Sequence, residues 1–241
     1  MIDRFQNPSP RIRRALDIAG IVHDGAFRKG TDIPYIQHPV AVALLLEAYG
    51  YPEPLVAAGL LHDTVEDTKW GSPEVQRRLN LATGGRLPSP VEPMAFRSAF
   101  CAYLREEFGA EVFDLVAAVT EKKNDGGVPA DWLERKKTQL DKLARAGPEE
   151  AALKAADAVH NIESTARDID ALGLGVLDRF RGGPLVVWHY SALASLASRR
   201  MPAGAPLAER VVKAASDLET AVRQRRPPRS GSPHYPEPTV I

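Results

Sequence analysis

The segment Gly59–Thr68, GLLHDTVEDT, constrains the fold of this chain most, because it joins an apolar run to a cluster of ionisable residues. The run Leu55–Leu61 has the composition of a buried helix. The ionisable residues that follow it are His62, Asp63, Glu66 and Asp67. Burying such groups at the end of an apolar helix costs free energy unless something compensates their charge. A divalent cation is the simplest compensator, because it keeps an imidazole neutral and carboxylates ionised.

The spacing of these four residues is compatible with two interpretations. If the helix continues, Glu66 lies one turn from His62, and Asp67 lies one turn from Asp63 on the same side. A metal site is then favoured. The alternative is a capping or surface pair, which is the more common role of a lone His-Asp doublet at a helix end. This segment by itself does not decide between the two interpretations.

Two other segments offer further ligands for a metal ion. His38 directly precedes Pro39 at the predicted start of an apolar helix, where a histidine is otherwise usually a cap. Asp157 lies among alanines and valine, with Asn161 one turn later. Together with His62 and Asp63, these residues form a nitrogen–oxygen donor set from three helices. Such a set suits Mn²⁺, Fe²⁺ or Zn²⁺ better than Ca²⁺.

The composition favours a globular, all-α protein. Alanine and leucine are abundant, β-branched runs are short, and hydrophobic residues make up 44% of the chain. The formal net charge is zero, which argues against a general binder of nucleic acids or acidic membranes. The single cysteine, Cys101, excludes an intramolecular disulfide and a cysteine zinc site. Without an N-terminal apolar run or a membrane-length apolar segment, we expect a cytoplasmic protein with no membrane contact.

The positions of Pro, Gly and apolar residues predict one helical domain over residues 1–225. The predicted helices are Pro10–His23, Pro39–Gly50, a segment after Pro52, Glu92–Glu107, Glu111–Glu121, Pro129–Arg145, Pro148–Leu172, Gly183–Arg199 and Pro206–Gln224. The Gly/Pro-rich stretch Asn80–Pro93 is predicted to be a loop. Residues 226–241 contain five prolines and little to bury, so we predict a disordered tail.

The order of these candidate ligands, H…HD…D, resembles the HD-domain phosphohydrolases. More narrowly, three blocks resemble the hydrolase domain of the RelA/SpoT proteins and the small alarmone hydrolases of the metazoan SpoT homologue type. These blocks are Arg28-Lys29 with Pro34–Pro39, then Leu61–Thr68, then Lys154–Asp157 with His160-Asn161. A weaker block is Phe108–Val112 followed by Leu115, Val116, Val119 and Thr120. The resemblance covers about residues 12–165 and implies an HD-domain helical bundle, with extra C-terminal helices over 166–225.

This resemblance implies a metal centre and a reaction. Carried over residue by residue, the metal ligands are His38, His62, Asp63 and Asp157, and the usual ion of the family is Mn²⁺, another divalent transition metal being the alternative. Glu66 and Asp67 match the acidic pair that positions or deprotonates the attacking water. The reaction implied is removal of the 3′-pyrophosphate from guanosine tetra- or pentaphosphate, which leaves GDP or GTP. Only helices and a tail follow Thr165, so we expect hydrolysis and not synthesis.

The resemblance also suggests residues that bind the nucleotide. Arg28 matches a residue that stacks on the guanine, and a planar guanidinium suits that contact. Lys29, Lys123 and Lys154 are candidates for phosphate contacts, the alternative for each being a solvated surface charge. Asn161 would face the pocket and bond the ribose, or be an ordinary helix residue. We interpret His23, His160 and Tyr35 as structural.

Three departures from the family pattern concern the substrate more than the metal. Ala158 stands where the alarmone hydrolases usually have a basic residue, and Glu163 stands where many have arginine. An acidic side chain facing the pocket would repel a substrate with several phosphates. The segment 69–104 is longer than expected and could form a lid, a dimer contact or an excursion. Another nucleotide or phosphoester as substrate, and a non-catalytic nucleotide-sensing module, therefore stay as alternatives, and a homo-oligomer is left open.

Overall fold

The computed structural model describes residues 5–121, 124–125, 128–129 and 131–225. Lys123 and the predicted tail, 226–241, lie outside these residues. The helices in the described part are α1 (Pro10–Val22), α2 (Gln37–Ala48), α3 (Glu53–Leu61), α4 (Thr64–Asp67), α5 (Pro73–Ala82), α6 (Pro93–Phe108), α7 (Ala110–Val119), α8 (Trp132–Arg145), α9 (Pro148–Leu172), α10 (Leu185–Arg200) and α11 (Pro206–Arg225), with a 3₁₀ helix at Leu174–Arg179. The predicted all-α class is confirmed, and the described part also contains a minimal antiparallel pair, β1 (Asn124–Asp125) with β2 (Val128–Pro129).

Local sequence signals explain where the longest helix starts and stops. Pro148 occupies the first position of α9, where its missing N–H costs nothing. The Glu150 carboxylate accepts a hydrogen bond of 3.2 Å from the backbone N–H of Gly147, which satisfies one of the free donors of the first turn. The helix ends at Gly173, whose φ of 82° lies in the left-handed region that favours glycine. The prediction of Pro148–Leu172 therefore matches the structure.

Helix α9 is the centre of the bundle. It packs against α2, α3, α7, α10 and α11. Its buried face is rich in alanine, and small side chains let neighbouring helices approach closely. The alanines at 151, 152, 155, 156 and 158 are all buried. Ala158, the position where the family has a basic residue, is thus part of the core, only 2% exposed.

A glycine sets the distance between the two helices that carry the predicted ligand histidines. A Cβ atom on Gly59 of α3 would lie 2.9 Å from Leu46 Cδ1 and 3.2 Å from Ala43 Cα of α2. Real Cβ atoms do not tolerate such contacts without a shift of the neighbour. The absent side chain therefore permits the close crossing of α2 and α3, which keeps His38 and His62 near each other.

The structure corrects the prediction for the segment after the HD doublet. Helix α5 was not predicted, and Asn80–Ala82 belong to it although the Gly/Pro-rich composition suggested a loop from Asn80. Its start follows ordinary rules, since Ser72 accepts from the N–H of Val75 and Pro73 occupies the first turn. Most residues of α5 favour a helix, and Leu79 and Gln76 are buried.

The segment 69–104 is an integral part of the core. Leu79, Leu87, Phe96 and Phe100 are almost completely buried and belong to the same apolar cluster as α1 and α3. The Gln76 side chain bonds the backbone of Trp70 and Val91, which ties the ends of α5 to the following loop. A lid, a dimer contact or an excursion are the alternatives that the sequence suggests for this segment, and packing into the body of the fold is not among them. Among the described helices, no helix combines the length and apolarity needed to cross a membrane.

Candidate metal centre

Two histidines and one aspartate from three helices converge in the core. His38 lies in α2, His62 directly follows α3, and Asp157 lies in the middle of α9. Each offers one ligand atom, and these atoms all lie within 4.8 Å of one another. All three residues are buried, with His38 and His62 only 1% and 2% exposed. A cluster of this kind can hold a divalent metal ion.

Asp63 joins this cluster through its side chain. The chain does not continue as one helix through the doublet: α3 ends at Leu61, and the single turn α4 begins at Thr64. Asp63 Oδ2 then lies 3.1 Å from His62 Nε2 and 3.6 Å from His38 Nε2. Asp157 Oδ1 lies 3.2 Å from His38 Nε2 and 4.0 Å from His62 Nε2. Each of the two carboxylates therefore lies within 4.0 Å of the Nε2 atoms of both histidines.

The hydrogen bonding of the His62 ring shows whether this residue can bind a metal ion. Its Nδ1 lies 2.8 Å from the carbonyl oxygen of Gly59, and because a carbonyl only accepts, Nδ1 carries the proton. In the neutral ring, Nε2 then holds a free lone pair. That atom is buried and has no aligned hydrogen-bond partner in the described part of the chain. A buried lone pair aimed at two carboxylates fits a metal ion, and the backbone contact fixes its direction.

The electrostatics of the cluster favour a positive charge at His62. Burial alone would lower the pKa of His62, but the Asp63 and Asp157 carboxylates outweigh it and raise the pKa to about 9. Burial prevails at His38, whose pKa is lowered despite Asp157. The pKa of Asp63 is held far below its usual range by His62, against the effect of burial. A proton or a metal ion can supply the charge that these carboxylates require.

Both carboxylate oxygens of Asp157 accept hydrogen bonds from neighbouring side chains of α9. Burial would raise the pKa of Asp157, but Lys154 keeps it well below the usual value. Lys154 Nζ donates to Asp157 Oδ2 at 2.8 Å, and its side chain is only 11% exposed. Asn161 Nδ2 donates to Asp157 Oδ1 at 2.6 Å. Lys154 and Asn161, predicted from the sequence to bind substrate, thus contact a proposed ligand of the metal.

Arg28 is linked to this network from the loop between α1 and α2. Its Nη2 donates to Asn161 Oδ1 at 2.6 Å, which fixes the orientation of the Asn161 amide. Its guanidinium lies 5.6 Å from the ring centroid of Tyr35, within the range of a cation–π contact. Lys29 is exposed in the same loop. Lys123, the remaining lysine predicted to contact phosphate, lies outside the described residues.

Tyr35 contacts the centre directly. Its hydroxyl donates to Asp63 Oδ2 at 2.7 Å, and the centroid of its ring lies 4.8 Å from the ring centroid of His23. Burial and the Asp63 carboxylate raise the pKa of Tyr35 well above its usual value, so the hydroxyl keeps its proton and remains a donor. The sequence pattern gave Tyr35 only a structural role. The contact to Asp63 could not be read from the sequence, because it joins residues 28 positions apart.

Glu66 lies in α4, beside the proposed ligands. Its Oε2 accepts a hydrogen bond of 3.0 Å from the backbone N–H of Glu121, just after α7. The Glu121 carboxylate is paired in turn with Arg135 at 2.5 Å and Lys136 at 2.9 Å. These contacts orient Glu66 from outside its own short helix. Asp67 ends the same turn and is half-buried.

A cleft of about 660 Å³ lies between α7, α8 and the first turns of α9; none of the four proposed ligands lines it, and Lys154, which contacts Asp157, connects it to the centre. Glu121 and Arg135 also line it. Its volume is within the range of small-molecule sites. Two further histidines are buried: His23, which the sequence indicated as structural, and His189 of α10.

Glu163, the acidic departure from the family pattern, does not carry an unpaired charge. Its two carboxylate oxygens accept from Arg210 of α11 at 3.0 and 3.2 Å. Arg210 also donates to the Tyr49 hydroxyl at 3.4 Å. Tyr49 caps the C-terminal end of α2, whereas His38 lies at the N-terminal end of that helix. The negative charge of Glu163 is therefore compensated by α11.

A protein-family model and several curated proteins match parts of this chain. Residues 15–83 match the HD domain family. The chain is 32% identical over 153 residues to a probable GTP pyrophosphokinase of Mycobacterium leprae, covering 64% of this chain and 16% of that protein. It is 36% identical over 92 residues to a guanosine-3′,5′-bis(diphosphate) 3′-pyrophosphohydrolase of Aquifex aeolicus, covering 38% and 12%. The chain spans less than a fifth of the length of these curated relatives.

Two solved structures share the fold. The lmo0812 protein of Listeria monocytogenes has a TM-score of 0.56 at 26% identity, covering 77% of this chain and 99% of that one. A metazoan orthologue of SpoT, described as hydrolysing ppGpp, has a TM-score of 0.58 at 22% identity, covering 90% of this chain and 97% of that one. At this identity the second likeness shows a shared fold.

Proposed function

We propose that this chain is an HD-domain, metal-dependent hydrolase that removes the 3′-pyrophosphate of guanosine tetra- or pentaphosphate and leaves GDP or GTP. The observation that supports it most is the buried convergence of His38, His62 and Asp157, with the Asp63 carboxylate 3.1 Å from His62 Nε2 and 3.6 Å from His38 Nε2. The names of the bacterial relatives and the fold shared with the metazoan orthologue support the substrate. We place the enzyme in the cytoplasm.

The four ligands would hold Mn²⁺, as the resemblance implies. Two imidazole nitrogens and two carboxylate oxygens form a donor set that suits this ion. When bound, the ion stabilises negative charge on the pyrophosphate oxygens and makes water more acidic. Lys154 and Asn161 keep Asp157 oriented, and Tyr35 does the same for Asp63.

Glu66 and Asp67 act on the attacking water. Glu66 Oε2 is bonded to the N–H of Glu121, so Glu66 is held in one orientation next to the ligands. Either carboxylate can accept the proton that water loses as it attacks phosphorus. The bond between phosphorus and the ribose 3′-oxygen then breaks, that oxygen takes up a proton, and pyrophosphate leaves.

Arg28 and Lys29 bind the nucleotide. Asn161 lies between Arg28 and the metal ligand Asp157, because it bonds both of them. The Arg28 guanidinium is planar and already ordered by Asn161 and Tyr35, which reduces the entropy lost when a guanine stacks on it. Lys29 supplies a positive charge in the same loop. Lys123 and Lys154 stay candidates for phosphate contacts, and Asn161 stays a candidate partner of the ribose.

The test is release of pyrophosphate by metal-free protein, with and without added Mn²⁺, across a panel of nucleotides that includes guanosine 3′,5′-bisdiphosphate. We expect Mn²⁺-dependent release from that compound and none from GDP or GTP. Asp63→Ala is the matched control, because it removes one ligand and should abolish both metal binding and release. Activity on other nucleotides only would reject the substrate. Bound metal without any activity would favour a nucleotide-sensing module.

A further inference from the structure

His160 contacts one of the proposed metal ligands through a ring nitrogen. The Nδ1 atoms of His38 and His160 lie 2.8 Å apart, a hydrogen-bond distance, and the two ring centroids lie 4.9 Å apart. A neutral imidazole carries one N–H and one lone pair. One ring of this pair therefore donates from Nδ1 and the other accepts at Nδ1.

The other nitrogen of His38 decides which ring donates. His38 Nε2 points into the cluster, 3.2 Å from Asp157 Oδ1 and 3.6 Å from Asp63 Oδ2. A metal ion needs the lone pair of this Nε2 atom, so the proton of the neutral His38 ring must then be on Nδ1. With His38 donating, His160 must present the lone pair of its own Nδ1 and carry its proton on Nε2.

We propose that His160 is a positioning residue for the metal centre. By accepting the His38 Nδ1–H, it sets both the tautomer and the ring orientation that present His38 Nε2 to a metal ion. This inference rests on the proposed function, because it requires that the four ligands hold a metal. It assigns a task to a residue that the sequence pattern indicated only as structural.

The placement of His160 makes this role specific. The other ligand histidine, His62, is oriented by a backbone carbonyl, that of Gly59. Within the described residues, His38 is instead oriented by a side chain, and that side chain comes from α9, one turn after Asp157. Helix α9 thus supplies both one ligand and the orientation of another. Partners that orient ligand histidines typically contribute about 10- to 100-fold to metal affinity.

Two substitutions separate an orienting role from a packing role. His160→Asn places an amide oxygen near the position of Nδ1 and keeps an acceptor for His38, although it removes the ring. His160→Leu fills more of the space but cannot accept a hydrogen bond. The readout is the Mn²⁺ affinity of the metal-free protein, measured by the paramagnetic resonance signal of free Mn²⁺, which needs no turnover.

We expect His160→Leu to weaken Mn²⁺ binding by about 10- to 100-fold and His160→Asn to restore most of that loss. His189→Leu is the control, since it makes the same exchange at a histidine that is more buried than the half-buried His160 and that contacts none of the four ligands in any described hydrogen bond or ion pair. Its Mn²⁺ affinity should equal that of the wild type. Circular dichroism and thermal melting check that each variant is folded.

Three results would overturn the proposal. Wild-type affinity in folded His160→Leu would show that the acceptor is not needed, and equal losses in the Leu and Asn variants would show that the ring acts by packing. In both cases wild-type turnover with Mn²⁺ leaves the proposed function standing. If the wild-type protein itself binds no divalent transition metal, the proposed function fails and the role of His160 fails with it.

Discussion

Two acidic residues of α9, six positions apart, show how differently one helix can use a carboxylate. Asp157 is 12% exposed at its side chain, and its oxygens lie within 3.2 Å of Lys154, Asn161 and His38. Glu163 is 41% exposed and forms a bidentate pair with Arg210, which is equally exposed. Both are ion-paired, so pairing does not distinguish them.

Burial is what distinguishes the two carboxylates. Around Asp157, burial would raise the pKa, but little water screens the charges, so Lys154 and the two histidines act strongly on it and hold its pKa well below the usual value. Around Glu163, solvent screens the pair, and such surface pairs contribute little. The cluster at Asp157 can bind a cation, whereas the pair at Glu163 connects α9 to α11. Exposure is therefore the better guide to which charge of α9 is functional.

The largest expected effect comes from removing the buried carboxylate. In Asp157→Ala, one ligand is lost and Lys154 stays buried without its partner, so metal binding should disappear and turnover should fall by at least about 1000-fold. Metal content after dialysis and Mn²⁺-dependent pyrophosphate release measure the two effects. A stoichiometric metal with wild-type activity in this variant would remove the distinction between Asp157 and Glu163.

Glu66→Gln should keep the metal and lose turnover. The amide oxygen of glutamine can still accept from the Glu121 N–H, but the side chain can no longer take a proton from water. We expect a loss of about 100- to 10,000-fold in kcat at unchanged Mn²⁺ affinity. Full activity would exclude Glu66 as the proton acceptor and leave Asp67 as the candidate.

Arg28→Ala should have an intermediate effect, on substrate binding. The guanidinium is half-buried and reaches the cluster through Asn161. Its loss should raise KM for guanosine 3′,5′-bisdiphosphate by roughly tenfold, with a smaller change in kcat. Arg28→Lys keeps the positive charge but removes the planar guanidinium, so comparing it with Arg28→Ala separates the contribution of stacking from that of charge attraction. A change in metal affinity equal to that in KM would place Arg28 among the groups that support the ligands.

The smallest effect is expected for Glu163→Ala. Because its pair with Arg210 is substantially exposed, the free energy of unfolding should fall by about 0.5 kcal/mol or less. Metal affinity and kcat should match the wild type. Chemical denaturation and the pyrophosphate assay are the measurements. A large gain in activity would mean that Glu163 repels the substrate, as the family comparison of its position suggested, despite its pairing with Arg210.

Several features of this protein follow from the sequence alone. The bounds of α9 agree with the prediction because proline, glycine and capping residues act on their immediate neighbours. The doublet of His62 and Asp63 is visible in the sequence, but the 3.1 Å approach of their side chains occurs where the chain passes from α3 to α4, because adjacent residues of one helix do not face each other. The candidate ligands His38 and Asp157 could be named, because an isolated charge or histidine beside an apolar helical run is costly without a partner.

Only the tertiary structure decided which distant side chains meet. The contacts of His38 with His160 and of Glu163 with Arg210 join residues 122 and 47 positions apart. They depend on how closely helices cross, which small residues such as Gly59 set and which no local pattern encodes. Helix α5 carries local signals, with Ser72 as its cap and Pro73 in its first turn, but the burial of Leu79 in the common core is visible only in the structure. Helical periodicity is a local property, whereas the pairing of side chains is a property of the packed core.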